Sequence, residues 1–208
     1  MDTSGARDHR PGDPILTPAG ETTAVNAIEL LKSGHRQVED WLGQFAATDD
    51  AAAMQALAAD ICTALEVHMR IEEEVFYPAF LAAGGNTAMH HEALVEHAAA
   101  RRLVEAIRSC GGAAADDYFA ARMRVLAAMI CRHIREEEET GGMFAIAAGL
   151  ELDLDGLGAN LEQLKVRLMD EAGTDRGYDA AAGSPDEGEE ITPEFEDPAA
   201  DGRAGDPG

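Results

Sequence analysis

Apolar side chains recur at steps of three and four residues through four long segments of the chain. In the first segment Ile28, Leu31, Val38 and Leu42 form one stripe, which matches the 3.6-residue period of an α-helix. The sequence predicts four such helices: from Thr22 or Thr23 to about Phe45, from Ala51 to Leu81, from Thr87 to Ser109, and from Asp116 or Asp117 to about Gly141. Long runs of β-branched residues are absent, so the predicted fold is an all-α, up-down-up-down four-helix bundle.

The breaks between the stripes carry ordinary turn and capping signals. Asp49 or Asp50 is suited to cap the second helix, and Pro78 is expected to bend or end it. After the fourth stripe a shorter apolar piece leads to a predicted short fifth helix, about Leu157 to Met169, packed outside the bundle.

This pattern divides the chain into three parts. Residues 1–20 are rich in Gly, Pro and Asp and are predicted to be a flexible arm, residues 21–172 form the helical domain, and residues 173–208 form a tail. The tail holds eleven acidic and two basic residues. A core cannot be built from such a composition, so we predict a disordered acidic tail with an unknown protein partner.

The overall charge of the chain limits the kinds of partner that it can bind. The formal net charge is -24, from 16 Lys and Arg against 40 Asp and Glu, which disfavours binding to nucleic acid or to an anionic membrane surface. No apolar run is long enough to span a bilayer, and the N-terminus does not resemble a secretory signal. Three widely separated cysteines are typical of reduced thiols, so the predicted location is cytoplasmic.

Polar residues interrupt the apolar stripe of each predicted helix, at one position in the first and third and at two in the second and fourth. His35 lies on the first stripe and His97 on the third, while the second and fourth stripes carry a His and a Glu four residues apart. The two pairs are His68 with Glu72, and His133 with Glu137. Residues four apart share a helix face.

The spacing of the histidines brings them to a similar depth. Successive intervals of 33, 29 and 36 residues each correspond to about one helix plus one turn. An unpartnered buried imidazole costs a few kcal/mol, so four on apolar stripes favour a shared metal site over ordinary core histidines. Nitrogen and carboxylate donors in this number suit iron or manganese better than zinc.

The stretches LEVHMRIEEEVFYPAF, ALVEHAAARRLVEAI and CRHIREEEETGGMF resemble the bacterial hemerythrin-like proteins, or HHE cation-binding domains, over about residues 24–170. This resemblance implies two non-haem iron ions, bridged by two carboxylates and an oxo or hydroxo group. It implies the metal ligands His35, His68, Glu72, His97, His133 and Glu137. His35 and His68 would hold one iron, and His97 and His133 the other.

Some residues depart from that family. Oxygen carriers have a fifth histidine, in a His-xxx-His pair on the third helix, whereas Ala93 and Arg101 stand at the two places open to it here. We therefore expect no reversible oxygen carriage. Arg101 is expected either to stabilise a bound anion or to pair with a surface glutamate. Glu138 remains an alternative to Glu137, and Tyr77 is expected to be partly exposed.

Two functions of different classes remain open at this point. One is a di-iron protein that reacts with or senses dioxygen, peroxide or nitric oxide, with weak peroxide decomposition as an uncertain enzymatic activity. The other is a non-catalytic module in which the metal is stored or holds the bundle together, while the acidic tail meets a partner.

Overall fold

The computed structural model describes residues 25–110 and 118–182, with side chains up to residue 173. Its helices are α1 (Ala27–Ala47), α2 (Ala51–Ile71), a π-helical turn (Glu72–Phe76), α3 (Tyr77–Ala82), α4 (Thr87–Arg108), α5 (Phe119–Glu138), α6 (Met143–Ala148) and α7 (Leu154–Ala182). These residues contain no strand, which confirms the all-α prediction.

Four of the helices close into a ring. Helix α1 packs on α2, α2 on α4, α4 on α5, and α5 on α1, and the connection between α1 and α2 is only three residues long. Short connections join antiparallel neighbours, so the ring is the expected four-helix bundle.

Side-chain caps define where three of these helices begin. The Asn26 carboxamide accepts from the Ile28 amide, Asp50 from the Ala53 amide, and Asn86 from the Ala88 amide. The cap at Asp50 is one of the two predicted. Helix α1 begins at Ala27, later than expected, because Asn26 supplies the cap. The predicted starts of the first and fourth helices, Thr22 or Thr23 and Asp116 or Asp117, lie outside the described residues, as does the predicted arm of residues 1–20.

Helix α7 covers one side of the bundle, against α1 and α2. Leu161, Leu164 and Leu168 are buried at steps of three and four, as predicted for a flanking helix. The helix is longer than expected, since it begins at Leu154 and continues to Ala182, past residue 173, the predicted start of the tail. Alanines 180–182 have high helix propensity, which favours this extension.

The second predicted helix is interrupted by the π-helical turn. The Tyr77 amide donates to the carbonyl of Glu72, five residues back, instead of the residue four back. The extra residue shifts the phase of the helix beyond the turn, so both Phe76 and Tyr77 are fully buried. The expectation that Tyr77 would be partly exposed is therefore wrong, because it assumed an uninterrupted α-helix.

The interior consists of two apolar clusters. One includes Leu31, Phe76 and Phe144, and the other includes Leu42, Leu65 and Ile130. Along α1 and α4, His35 and His97 each lie between residues of the two clusters, and on α2 residues of the two clusters alternate around His68. The fold therefore places a polar layer across the middle of an apolar core.

No helix within the described ranges combines the length and hydropathy needed to span a bilayer.

Candidate metal centre

The polar layer consists almost entirely of the predicted ligands. Among the described residues, the buried polar or charged side chains are Thr63 and the six predicted ones: His35, His68, Glu72, His97, His133 and Glu137. Thr63 is satisfied locally, since its hydroxyl donates to the Ala59 carbonyl. The other six converge from α1, α2, the π-helical turn, α4 and α5.

Glu72 lies between two of the histidines. Its Oε1 is 3.2 Å from His68 Nε2, and its Oε2 is 3.5 Å from His97 Nε2. The side chain is completely buried. One carboxylate thus faces imidazoles from two different helices, as a bridging carboxylate must.

Glu137 occupies the corresponding position on the other side. Its Oε2 is 3.4 Å from His35 Nε2 and 3.5 Å from His133 Nε2. Glu138 instead contacts Nδ1 of His35, at 2.6 Å, on the side away from the centre. The geometry therefore favours Glu137 over Glu138 as the inward carboxylate.

The donor atoms form two overlapping groups that could each hold an ion. His35, His68, Glu72 and Glu137 make one group, and Glu72, His97 and His133 make the other, with ligand atoms within 4.8 Å of one another. This matches the pairing of histidines that the resemblance implies.

Several inward atoms are buried without a hydrogen-bond partner. They are His35 Nε2, His68 Nε2, both carboxylate oxygens of Glu72, and Glu137 Oε2. Leaving a buried polar atom unsatisfied costs about 1–3 kcal/mol. Five such atoms aimed at a common centre fit a bound metal ion, which would satisfy them.

Opposite charges stabilise one another in this layer. Burial alone would raise the pKa of Glu72, but His68, His97 and His133 outweigh it and lower that pKa to about 2. Burial lowers the pKa of His133, but Glu137, Glu96 and Glu72 outweigh it and raise that pKa to about 9. The metal-free centre therefore holds a proton on His133 that a metal would have to displace.

The pKa of His133 predicts how the stability of the metal-free protein depends on pH. Because the folded value lies above the unfolded value of about 6.5, its contribution is complete below pH 6.5 and is lost as the pH rises through 9. We expect the free energy of unfolding to fall by up to about 3 kcal/mol between pH 6.5 and 9.5. Urea unfolding of metal-free protein checks this, and H133Q should show a smaller fall; an equal fall in both would contradict the assignment.

Tyr77 is a residue of the centre that the stripe pattern missed. Its hydroxyl donates to Glu137 Oε1 at 3.1 Å and lies 3.4 Å from His97 Nε2. Burial, Glu72 and Glu137 raise the pKa of Tyr77 well above 10, so the phenol keeps its proton. Only the π-helical turn brings it here, and periodicity carries no signal for such a turn.

Removing the Tyr77 hydroxyl should leave Glu137 Oε1 without its donor. We expect Y77F to lower the free energy of unfolding of the metal-free protein by about 1–3 kcal/mol. Y118F is the matched control, because Tyr118 is 70% exposed and should change stability by less than about 0.5 kcal/mol. Equal effects in urea unfolding would show that the bond to Glu137 contributes nothing.

The neighbouring aromatic side chains and the two remaining histidines of α4 have different surroundings. Phe144, on α6, stacks on His35 with ring centroids 5.6 Å apart, which the sequence did not indicate. Phe76 is fully buried in the core, and Trp41 packs against the core while partly buried. His90 lies edge-on to Tyr77 and His91 is exposed, so neither joins the ligand groups.

Comparison with known proteins agrees with this geometry. The family model of the Hemerythrin HHE cation binding domain matches residues 26–143, which is more than half of the chain. The chain is also 26% identical over 128 residues to a DNA nickase of Nostoc sp. (strain PCC 7120 / SAG 25.82 / UTEX 2576). That match covers 60% of this chain and 35% of the relative, so the chain spans about a third of that protein's length. No solved structure shows a significant match.

A ring of four helices, a buried layer of histidines and glutamates, and a family match across that layer lead to one conclusion: the chain belongs to the hemerythrin HHE cation-binding family.

Proposed function

We propose that this protein binds two iron ions in the centre and uses them to react with or sense dioxygen, peroxide or nitric oxide. The observation that carries the proposal is the set of unsatisfied inward atoms on His35, His68, Glu72 and Glu137. His35 and His68 would hold one ion, His97 and His133 the other, and Glu72 and Glu137 would bridge both. Iron bound there supplies the redox chemistry.

The surroundings of the centre favour small ligands. A small cavity adjoins the four histidines, and its remaining walls are mostly apolar, including Val38, Leu65 and Ile130. An apolar wall accepts neutral diatomic molecules and excludes large polar substrates. Tyr77, which keeps its proton beside Glu137, can donate a hydrogen bond within the centre.

The alternative class remains a storage or structural module. The six side chains come from all four helices of the bundle, so a metal held by them would join these helices. In that case binding the metal would stabilise the fold without any response to oxidants.

Metal analysis with absorption spectra tests both possibilities. We expect two irons per chain and a near-ultraviolet charge-transfer band that disappears with dithionite and returns with air. Two irons with a spectrum that air and peroxide leave unchanged would favour the structural module. Zinc in place of iron would contradict the redox proposal, and manganese would contradict the identity of the metal.

The activity named for the Nostoc relative is not part of this proposal. The chain covers 35% of that protein, and its net charge of -24 opposes binding to nucleic acid. A cytoplasmic location is part of the proposal, supported by three free thiols, Cys62, Cys110 and Cys131.

A further inference from the structure

In three of the four site histidines, Nδ1, the ring nitrogen that faces away from the centre, contacts a carboxylate. Nδ1 of His35 lies 2.6 Å from Glu138 Oε1, that of His97 lies 2.8 Å from Glu73 Oε1, and that of His133 lies 2.8 Å from Glu96 Oε2. In each case the bond leaves Nε2 facing the centre. A partner on the outer nitrogen fixes both the tautomer and the orientation of an imidazole.

Each of these carboxylates is itself paired with an arginine. Glu138 pairs with Arg36, Glu73 with Arg101 at 2.7 Å, and Glu96 with Arg132 at 2.6 Å. We call the three sets the Arg–Glu–His chains. Each arginine balances the charge of its glutamate and restricts its rotamers, so the ring behind it is held more firmly.

Arg101 is thereby placed in one of the two roles expected for it. Arg101 pairs with Glu73, and Glu73 in turn contacts His97 Nδ1.

His68 has no such chain. Among the described residues, no carboxylate contacts its Nδ1, and the atom faces the backbone of Gly34 instead. A Cβ at position 34 would lie 2.9 Å from that nitrogen, so the glycine leaves room for the ring. The His68 side chain is 11% exposed, against 2% for His35, 1% for His97 and 6% for His133.

A cleft leads from the surface to His68, the site histidine that has no carboxylate on its Nδ1. It has a volume of about 240 Å³ and lies between α1, α2 and α7. Its walls include Gly34, Gln37, Trp41, His68 and Lys165. His68 is therefore the site histidine that combines an unsupported outer nitrogen with an adjoining open cleft.

We propose that Glu73, Glu96 and Glu138 are positioning residues that preorganise three histidines, and that His68 is the exchangeable ligand. Metal ions enter and leave the centre through the cleft that adjoins His68. The inference rests on the proposed function only in requiring that the centre binds metal. Three fixed rings retain the geometry of the centre while the fourth rotates to admit or release an ion. Its test needs no turnover of the loaded protein.

The positioning role is tested with Zn²⁺ as a diamagnetic probe. In protein labelled with ¹⁵N-histidine and loaded with zinc, we expect three of the four bound imidazoles to show slowly exchanging Nδ1 protons and His68 to exchange fast.

E96Q should expose the His133 proton and weaken zinc binding about 10- to 100-fold. E136Q is the matched control, because Glu136 also pairs with Arg132 but contacts no site histidine; its zinc affinity should stay within a factor of about 5.

The exchange route is tested by narrowing the cleft. Q37W places a large ring in the wall of the cleft, whereas Q44W makes the same change two turns along α1, outside it. With circular dichroism showing both variants folded, we expect Q37W to slow zinc loss to excess EDTA at least tenfold relative to Q44W.

The possible results separate the two proposals. Four imidazole protons that exchange alike, or equal zinc affinities of E96Q and E136Q, would overturn the positioning role. Equal zinc loss from Q37W and Q44W would overturn the route beside His68. A folded protein that binds neither zinc nor iron would instead overturn the proposed function.

Discussion

Replacing His133 by alanine should remove one of the two irons proposed for the centre and weaken the binding of the other. His133 Nε2 lies 3.5 Å from Glu137 Oε2 and 3.2 Å from His97 Nε2, so its loss opens a gap in one candidate ligand group and leaves Glu137 without one of its two imidazole neighbours. Loss of a direct ligand should weaken iron binding by more than the 10- to 100-fold typical of outer-shell partners. Iron per chain, measured after gel filtration, should fall from two to one or fewer.

A second histidine provides the control for this variant. His91 is exposed on α4 and belongs to neither ligand group, so H91A should keep two irons per chain. H68A should also lower the iron content, since His68 faces Glu72 from α2. Two irons retained in H133A would show that the six side chains are not the ligand set.

The reduced protein should be oxidised by air without taking up oxygen reversibly. Oxygen carriers have a fifth histidine on the third helix, which would give one iron three histidines, and the described residues on the His97 side of this centre offer no third one. Ala93 stands one turn before His97. Arg101 stands one turn after it and forms an ion pair with Glu73. A coordination position left to solvent favours oxidation, because open positions distinguish reactive metal sites from closed ones.

Restoring the missing histidine makes this prediction sharper. Ala93 is 5% exposed and lines a cavity of about 50 Å³ together with His133 and Glu137. A93H should therefore reach the centre and slow oxidation by air, whereas A98H, on the exposed face of α4, should not. Stopped-flow mixing of the reduced protein with oxygen measures both. Reversible uptake by the unchanged protein, with oxygen released under vacuum, would contradict the prediction of an open coordination position.

The parts of this centre that sequence reasoning reached are those that helical periodicity controls. A polar residue on an apolar stripe is visible without any structure, and all six predicted side chains converge. Within each of the two His–Glu pairs the residues are four apart, so the His and the Glu share a helix face whatever the exact helix bounds. Their role as ligands remains a prediction that metal analysis must test.

The parts that sequence reasoning missed depend on contacts between helices or on local irregularity. Glu73 and Glu96 lie off the apolar stripes, and nothing in the sequence distinguishes them from exposed glutamates such as Glu74. Their pairing with histidines of other helices depends on helix rotation, which no single stripe specifies. Tyr77 was misplaced for a related reason, since the phase of a helix beyond a π-helical turn cannot be read from the residues before it.

The π-helical turn makes the chain more sensitive to a lost residue than to most exchanged ones. Deleting one residue between Glu73 and Val75 would allow an unbroken α-helix, with better backbone hydrogen bonds than the turn it replaces. The same deletion would rotate Phe76, Tyr77 and Phe80 together, by about 100°, away from the places they now fill. Among relatives of this chain, we therefore expect the number of residues between the His-xxx-Glu pair and the proline to stay constant wherever the position of Tyr77 is buried beside the centre.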